Sequence, residues 1–466
     1  FDLPTAFIES FFNVQNSNNY FYFRHFINFT IFFISGIFFY KILINRSYNK
    51  LISFLGCSLY LLAPRAFGNS FFDSKDVFFL SILTITFYFY QKFEMKRNYT
   101  SLILFALFCA FSTSTRIFGL ILPISFFLIC FFETLNQNKI LEKIKILFCF
   151  FISYLIFLFL HWPYMWIFDY SNILSFLDPF KVWGIQKVYF NGFFYQSNFL
   201  PLSYLIKWIF ISTPAYYLVL FSLGISYNLK RLFLRILNLR QLSLNNDIWK
   251  GNKEKLDVFI FLCLLQIIVV YLSTEINLIK GWTHFLFLNF FLSYYAINSA
   301  HIFYLSFRFK KKLLTLILAF YSLFFIEHVY KLYIYHPYQS VYFNNFIKDN
   351  NNHLYENDFQ SLSRADALKE IIKDNKNKGK KKIIVGTASW TPLKNGVSML
   401  KKNEQDKLFF SGTSDKESAD YIYTNYFYDT DPKYAKKYFI PNNFYIYKTL
   451  KIDGKVIYSI YKNKIK

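Results

Sequence analysis

The stretch Phe26-Ile27-Asn28-Phe29-Thr30-Ile31-Phe32-Phe33-Ile34-Ser35-Gly36-Ile37-Phe38-Phe39-Tyr40-Lys41-Ile42-Leu43-Ile44 decides the fold. It carries one charged residue, Lys41, among six phenylalanines and six isoleucines. A bilayer core is crossed by a helix of about twenty mostly apolar residues, and this run is of that length and kind. Nine further runs follow, at 51–63, 77–90, 99–111, 117–132, 146–160, 205–225, 258–272, 285–300 and 313–334. Several fall short of a full span and would borrow flanking residues or tilt less. The chain is therefore read as an α-helical multi-pass membrane protein with about ten spans.

Charge orients the spans. The connections 41–50, 91–98, 133–145, 226–257 and 306–312 together hold 20 Lys/Arg, whereas the alternate stretches 1–25, 64–76, 112–116, 161–204 and 273–284 hold 7. Lysine and arginine are retained on the cytoplasmic side, so the first set is placed inside and the second outside. The tail beyond the last run falls outside too. An even number of spans with both ends outside, and a first residue that is Phe, lead us to expect a chain that begins partway into the natural protein, with one more span upstream. Residues 1–20 hold no basic residue ahead of an apolar core, so they do not read as a signal peptide.

Composition agrees. Of 466 residues, 55% are hydrophobic, 23% aromatic and only 17% charged, whereas soluble domains run near a quarter charged. The net charge of +24 is accounted for by lysines at membrane edges and in the tail, so a nucleic-acid partner is not expected. All five cysteines (Cys57, Cys109, Cys130, Cys149, Cys263) fall in apolar runs. They offer neither a disulfide framework nor paired metal spacing.

Residues 1–345 form the membrane domain, and 346–466 a polar extracytoplasmic α/β domain. In the tail, 363–373 reads as an amphipathic helix opened by Ser363 with Asp366 three residues on. Residues 382–386 and 420–423 read as strands. Asp453-Gly454 joins 445–450 and 455–461 as a hairpin.

Charged groups kept at membrane depth mark function, and on the outer side polar residues gather in five places. Between two spans, Pro64-Arg65 leads to Asp73-Ser74-Lys75-Asp76. With Ser74 as cap of the following helix, Asp76 lies in its first turn, where the dipole favours a carboxylate. That carboxylate could take a proton from a hydroxyl, with Arg65 and Lys75 on a phosphate; a plain capped hairpin loop reads as well. Ser112-Thr113-Ser114-Thr115-Arg116 suits an anionic headgroup, or an arginine snorkelling to the interface. His161-Trp162-Pro163-Tyr164 opens a long aromatic loop that could shape a sugar-binding cleft, although Trp and Tyr at a span end also make the interfacial belt. Lys280-Gly281-Trp282-Thr283-His284 and His336-Pro337-Tyr338-Gln339 complete the set. No Walker loop, Gly-x-Gly-x-x-Gly or His-Glu-x-x-His is present, which leaves nucleotide-driven chemistry without support.

Taken in order, these segments resemble one family. They are Pro64-Arg65 with Phe67-Gly68, Ser70-Phe71 and Lys75-Asp76; Ser114-Thr115-Arg116 with Gly119; His161-Trp162-Pro163-Tyr164; and Leu200-Pro201 through Ser212-Thr213-Pro214. Gly281-Trp282 with His284, His336-Pro337-Tyr338-Gln339 with Val341-Tyr342-Phe343-Asn344, and Ala419-Asp420-Tyr421 follow. The set is similar to the bacterial branch of the GT-C integral-membrane glycosyltransferases, related to the protein O-mannosyltransferases of glycosyltransferase family 39 and the aminoarabinose transferases of lipid A.

The resemblance implies an inverting transfer of a sugar from a polyprenyl-phosphate donor to an acceptor hydroxyl of a protein or glycolipid, on the outer face of a bacterial inner membrane. It implies that Arg65, Lys75 and Arg116 hold the donor phosphate and that Asp76 and Lys75 are catalytic. Asp73, His161, Tyr164, His284, His336, Tyr338 and Gln339 then line the cleft. The principal base is expected in a first outer loop upstream of Phe1. No metal ligands are assigned; branches of the superfamily differ in metal use, so a divalent ion stays open. The rival classes are a lipid-glycan transporter or flippase, for which paired halves or broken helices would speak, and a non-catalytic envelope scaffold.

Overall fold

The computed structural model describes residues 2–14, 17–46, 48–136, 140–166, 184–238, 249–347, 353–376, 382–412 and 415–464. Its helices are α1 (Asp2–Phe11), α2 (Ser17–Asn45), α3 (Lys50–Leu62), α4 (Pro64–Asn69), α5 (Asp76–Lys96), α6 (Tyr99–Thr115), α7 (Ile121–Asn136) and α8 (Ile140–His161). After a short hairpin come α9 (Ser203–Ser212), α10 (Ala215–Asn238), α11 (Gly251–Ser273), α12 (Leu288–Phe307), α13 (Lys311–Tyr335) and α14 (Ser363–Lys376).

Nine of the ten expected apolar runs fall essentially within one helix or within a helix and its leading 3-10 turn. The run 205–225 does not: Thr213 leaves the helical region and Pro214 follows, so α9 and α10 are separate. Proline there has no N–H for a continuing helix, and its ring clashes with the preceding turn. By length and apolarity four helical segments are sufficient to cross a membrane: Asn19–Asn45, Ile117–Thr134, Ile140–His161 and Gly251–Ser273. Lys50–Leu62, Tyr99–Thr115 and Ser203–Ser212 are apolar but shorter. Among the described residues there are thus four clear candidate spans among several apolar helices, and the expected count of about ten is not confirmed.

α5 is the hub. It is buried along most of its length and packs against α2, α6 and α11. Aromatic rings fill the spaces, with Phe87 stacked on Phe290 at 4.3 Å and Tyr90 on Phe259 at 3.7 Å. On the periphery, Leu316, Phe320, Leu323 and Ile326 of α13 and Phe148, Phe151, Leu155 and Phe159 of α8 are exposed. Three- and four-residue spacing puts each set on one helix face, which suits contact with lipid tails.

The two ends of the bundle differ in chemistry. At one end, Lys255 reaches Glu94 at 2.6 Å and also Glu133, which takes Lys143 as well. Beside them Asp257 accepts from Arg46 at 2.7 Å and Arg231 at 2.6 Å. These cations come from the connections placed inside by charge. At the other end lie α4, the start of α5, the end of α6 and the turn before α12, and the C-terminal domain sits on them.

That domain is a five-stranded sheet backed by α14, with strand order β4-β3-β5-β7-β6. β3 (Ile383–Thr387) runs parallel to β4 (Leu408–Phe410) and β5 (Tyr421–Thr424), and β5 and β6 (Phe444–Ile452) flank β7 (Lys455–Asn463) antiparallel. Asp453-Gly454 makes the expected hairpin turn, both residues at positive φ (50° and 77°). The start of α14 is capped differently from expectation. Asp358, not Ser363, accepts the backbone N–H of Leu362 at 2.8 Å, and the Ser363 hydroxyl donates to that same carboxylate at 2.5 Å. A carboxylate can accept several donors at once, which a hydroxyl cannot match. Tyr335, Tyr338, Val341 and Tyr342 share the core of this domain with α14, β3, β5 and β7.

Candidate active site

The site is built where α4 meets α5. Pro64 begins α4, since its fixed φ suits a first helical position and its missing N–H costs nothing there. This short helix turns Arg65 inward until it is 2% exposed. None of its Nε, Nη1 and Nη2 atoms has a hydrogen-bond partner among the described residues. What surrounds the guanidinium is aromatic: the Trp208 ring at 4.6 Å and the Phe359 ring at 5.4 Å. Cation–π contact offsets part of the desolvation. Burial nonetheless lowers the Arg65 pKa to about 9, with Tyr204 and Glu356 acting the other way, so the group stays charged at neutral pH.

Space for Arg65 comes from Gly281. Lys280 and Gly281 both adopt positive φ (60° and 66°), and a Cβ on Gly281 would lie 2.8 Å from Arg65 Nη1. Trp282 pins this turn by donating from Nε1 to Ser212 Oγ at 2.8 Å. Two residues on, His284 points its Nδ1 at Asp76 Oδ2, 3.6 Å away.

Asp76 is the centre of a second cluster. Arg116 Nη2 pairs with its Oδ1 and lies 3.5 Å from His284 Nδ1. Arg116 reaches there because α6 stops at Thr115 and Arg116 itself is extended, before the 3-10 turn Ile117–Leu120. Gly119 permits the reversal: a Cβ at that position would stand 2.3 Å from the Thr113 backbone nitrogen. The N-cap position of α5 falls on Lys75, not on the expected Ser74, and makes no side-chain cap bond; Asp73 Oδ1 instead accepts the Asp76 N–H at 3.1 Å. Burial, reinforced by the neighbouring Asp76 carboxylate, lifts Asp73 to about 7. Lys75 is exposed beside Asp76 and adds to the positive field on it.

The structure therefore brings Arg65, Asp73, Lys75, Asp76, Arg116 and His284 to one end of the bundle. Gln339 joins them through α4: its Cβ would be 3.0 Å from one built on Gly68, and its Oε1 is buried without a partner among the described residues. The other expected cleft residues have other engagements. His161 Nδ1 bonds the Phe157 carbonyl at 2.7 Å and its ring sits 3.9 Å from Phe111. His336 Nδ1 meets Gln339 Nε2 at 3.0 Å, and the Tyr338 hydroxyl donates to Asp366 at 2.6 Å inside the C-terminal core. The Tyr164 side chain lies outside the described residues. Among the described residues no three His, Cys, Asp or Glu side chains converge as metal ligands would.

Three contributors were not foreseen from sequence: Trp208, Phe359 and Glu356. Glu356 is buried, pushed up to about 7 by that burial, and its Oε2 has no partner among the described residues. The polar tail gives no periodic signal that would bring Glu356 or Phe359 to Arg65.

Residues 1–176 match the family model described as dolichyl-phosphate-mannose-protein mannosyltransferase. The matched segment runs from α1 to beyond α8 and contains Arg65, Asp73, Lys75, Asp76, Arg116 and His161. Trp208, His284, Gln339 and Phe359 lie beyond it. No curated protein and no solved structure matches the chain.

Proposed function

We propose that this chain is an integral-membrane glycosyltransferase that moves a sugar from a polyprenyl-phosphate donor to an acceptor hydroxyl on the outer face of the membrane. The observation that carries the reading is Arg65, a fully buried cation with all its donors unspent, within the mannosyltransferase segment. An isolated buried charge is costly, and a phosphate diester in contact with it relieves that cost while gaining charge-assisted bonds.

The chemistry follows from leaving-group stabilisation. The acceptor hydroxyl oxygen attacks the anomeric carbon as the bond from that carbon to the phosphate oxygen breaks, inverting the configuration, and the hydroxyl proton ends on the departing phosphate monoester, whose second ionisation lies at about pH 6. Negative charge grows on the departing polyprenyl phosphate. Arg65 meets that charge in a water-poor setting, where a fixed donor is worth far more than in bulk water. Asp76 holds Arg116 and His284 in place, so Arg116 presents a second, oriented cation, and Lys75 supplies a third from the rim.

The test uses the full chain in lipid nanodiscs with dolichyl-phosphate [14C]mannose and a Ser/Thr-rich peptide. The expected result is time-dependent label on the peptide with release of dolichyl phosphate in equal amounts. Label that stays on the lipid with mannose, and likewise with a panel of other polyprenyl-phosphate sugars and glycolipid acceptors, overturns the reading.

A further inference from the structure

A cavity of about 800 Å³ lies outside the Asp76 cluster, between the hairpin that follows α8 and the C-terminal sheet. The hairpin pairs β1 (Lys187–Phe190) with β2 (Phe193–Gln196) through the turn Asn191-Gly192. The segment after the bundle is stitched to it: Phe190 bridges Tyr355, Gly192 N–H donates to the Leu354 carbonyl at 3.0 Å, and Tyr189 N–H donates to Glu356 Oε1 at 3.0 Å. The opposite wall is the loop after β5 and the tip of the β6–β7 hairpin.

The lining has two kinds of group. Tyr189, Phe194, Tyr426 and Tyr428 present rings, and Glu356, Asn357 and Asp431 present oxygens. Two of these rings are set by neighbours: Tyr189 packs tilted against Phe194 with ring centres 4.8 Å apart, and the Tyr426 hydroxyl donates to Ser459 at 2.7 Å. Glu356 Oε2 and Asn357 Oδ1 are buried acceptors with no donor among the described residues. Glu356 is itself 5% exposed. Unspent acceptors at the bottom of an aromatic pocket ask for a ligand rich in hydroxyl donors and with apolar C–H faces.

We infer that this cavity is a binding site for a neutral carbohydrate, a unit of one to three sugar rings, with C–H faces on Phe194 and Tyr426 and hydroxyls donated to Glu356 and Asn357. This goes beyond the transfer reaction, and of the residues it rests on only Glu356 also acts on Arg65. Charge argues for a neutral ligand: Asp431 and Glu356 oppose an anion, while Lys433 and Lys455 at the same pocket oppose a cation. An extended peptide would seek an open strand edge for backbone pairing. Here β1 is taken by β2 on one side and meets Tyr355 on the other.

The experiment is saturation-transfer NMR and calorimetric titration of the full chain in nanodiscs, with mannobiose, maltose and chitobiose as probes and a Ser/Thr/Tyr hexapeptide as the rival. At least one disaccharide is expected to bind saturably. Phe194→Ala should weaken it about fivefold to tenfold through lost stacking. Glu356→Gln keeps the acceptor for Tyr189 N–H but replaces the free oxygen by a donor, and should weaken binding by about tenfold. Because Phe194 stands partly exposed on the hairpin, its variant also reports if Glu356→Gln perturbs folding. No saturable response to any of the three sugars, sugar binding that both variants leave unchanged, or a hexapeptide that binds in their place and is lost in both variants each overturns the assignment.

Discussion

The Arg65 guanidinium lies 4.6 Å from the centre of the Trp208 ring, and no oxygen of the described residues accepts a bond from it. In a fold that must hold together without ligand, this is an unfavourable arrangement. Removing a buried charge relieves desolvation that the ring contacts of the resting protein offset only in part. Arg65→Met is therefore expected to leave thermal stability unchanged or raise it by about 1 kcal/mol, while sugar transfer falls by about 100-fold or more. A melting curve and a transfer assay on the same preparation check it. A variant that is both inactive and markedly less stable would make Arg65 structural.

Asp76 behaves in the opposite way, because its partner is present. Asp76→Ala strands the Arg116 guanidinium, and breaking a buried pair costs about 3–5 kcal/mol. Adding Arg116→Met to it should recover most of the stability and none of the transfer. Chemical denaturation of the two single variants and the double variant measures the coupling.

Asp73 gives a pH dependence with a definite sign. Burial and the Asp76 carboxylate raise it from 3.8 to about 7, against the weaker pull of Arg116. The folded protein then holds a proton that the unfolded chain has released, so stability from this group is complete below about pH 4 and is lost as pH rises through 7. Asp73→Asn keeps an oxygen for the Asp76 N–H and removes the titration. Its melting temperature should fall less steeply between pH 4 and 7 than that of the native chain. Glu356 and Asp358, lifted to about 7 and about 6 by burial, maintain the remaining slope.

The C-terminal domain is tied down through Tyr338, whose hydroxyl donates to the Asp366 carboxylate at 2.6 Å. Tyr338→Phe keeps the ring in its core and loses one charge-assisted bond, worth about 1.5–3 kcal/mol at most. Limited proteolysis should cut the chain faster ahead of α14, and equal cleavage of variant and native protein would show that the bond does not hold the domain.

Much of this was legible in the chain, for physical reasons. Apolar runs announce membrane helices because lipid imposes one requirement over a long stretch. Asp453-Gly454 announced its hairpin because the turn demands positive φ from two adjacent residues. By the same logic Asn191-Gly192 was a readable signal, and the hairpin it closes passed unnoticed inside an aromatic loop. Arg65, Asp76, Arg116 and His284 could be singled out one at a time as polar groups between apolar runs. Their meeting could not, since the Asp76–Arg116 pair spans 40 residues and the Arg116–His284 contact spans 168. Caps were misplaced where the choice lay between neighbouring acceptors: Asp73 over Ser74, and Asp358 over Ser363.

Phe359 covers one face of Arg65, and Gln360 reaches Asn69 of the same short helix at 3.4 Å. A ribosome makes α4 early and these two residues late. Throughout the interval the arginine has its Trp208 side at best and stands open on the other. A nascent chain already threaded into the bilayer thus sits among donor lipids with a half-built cradle. Completion of the cradle therefore waits for residues 359 and 360 to fold back onto α4.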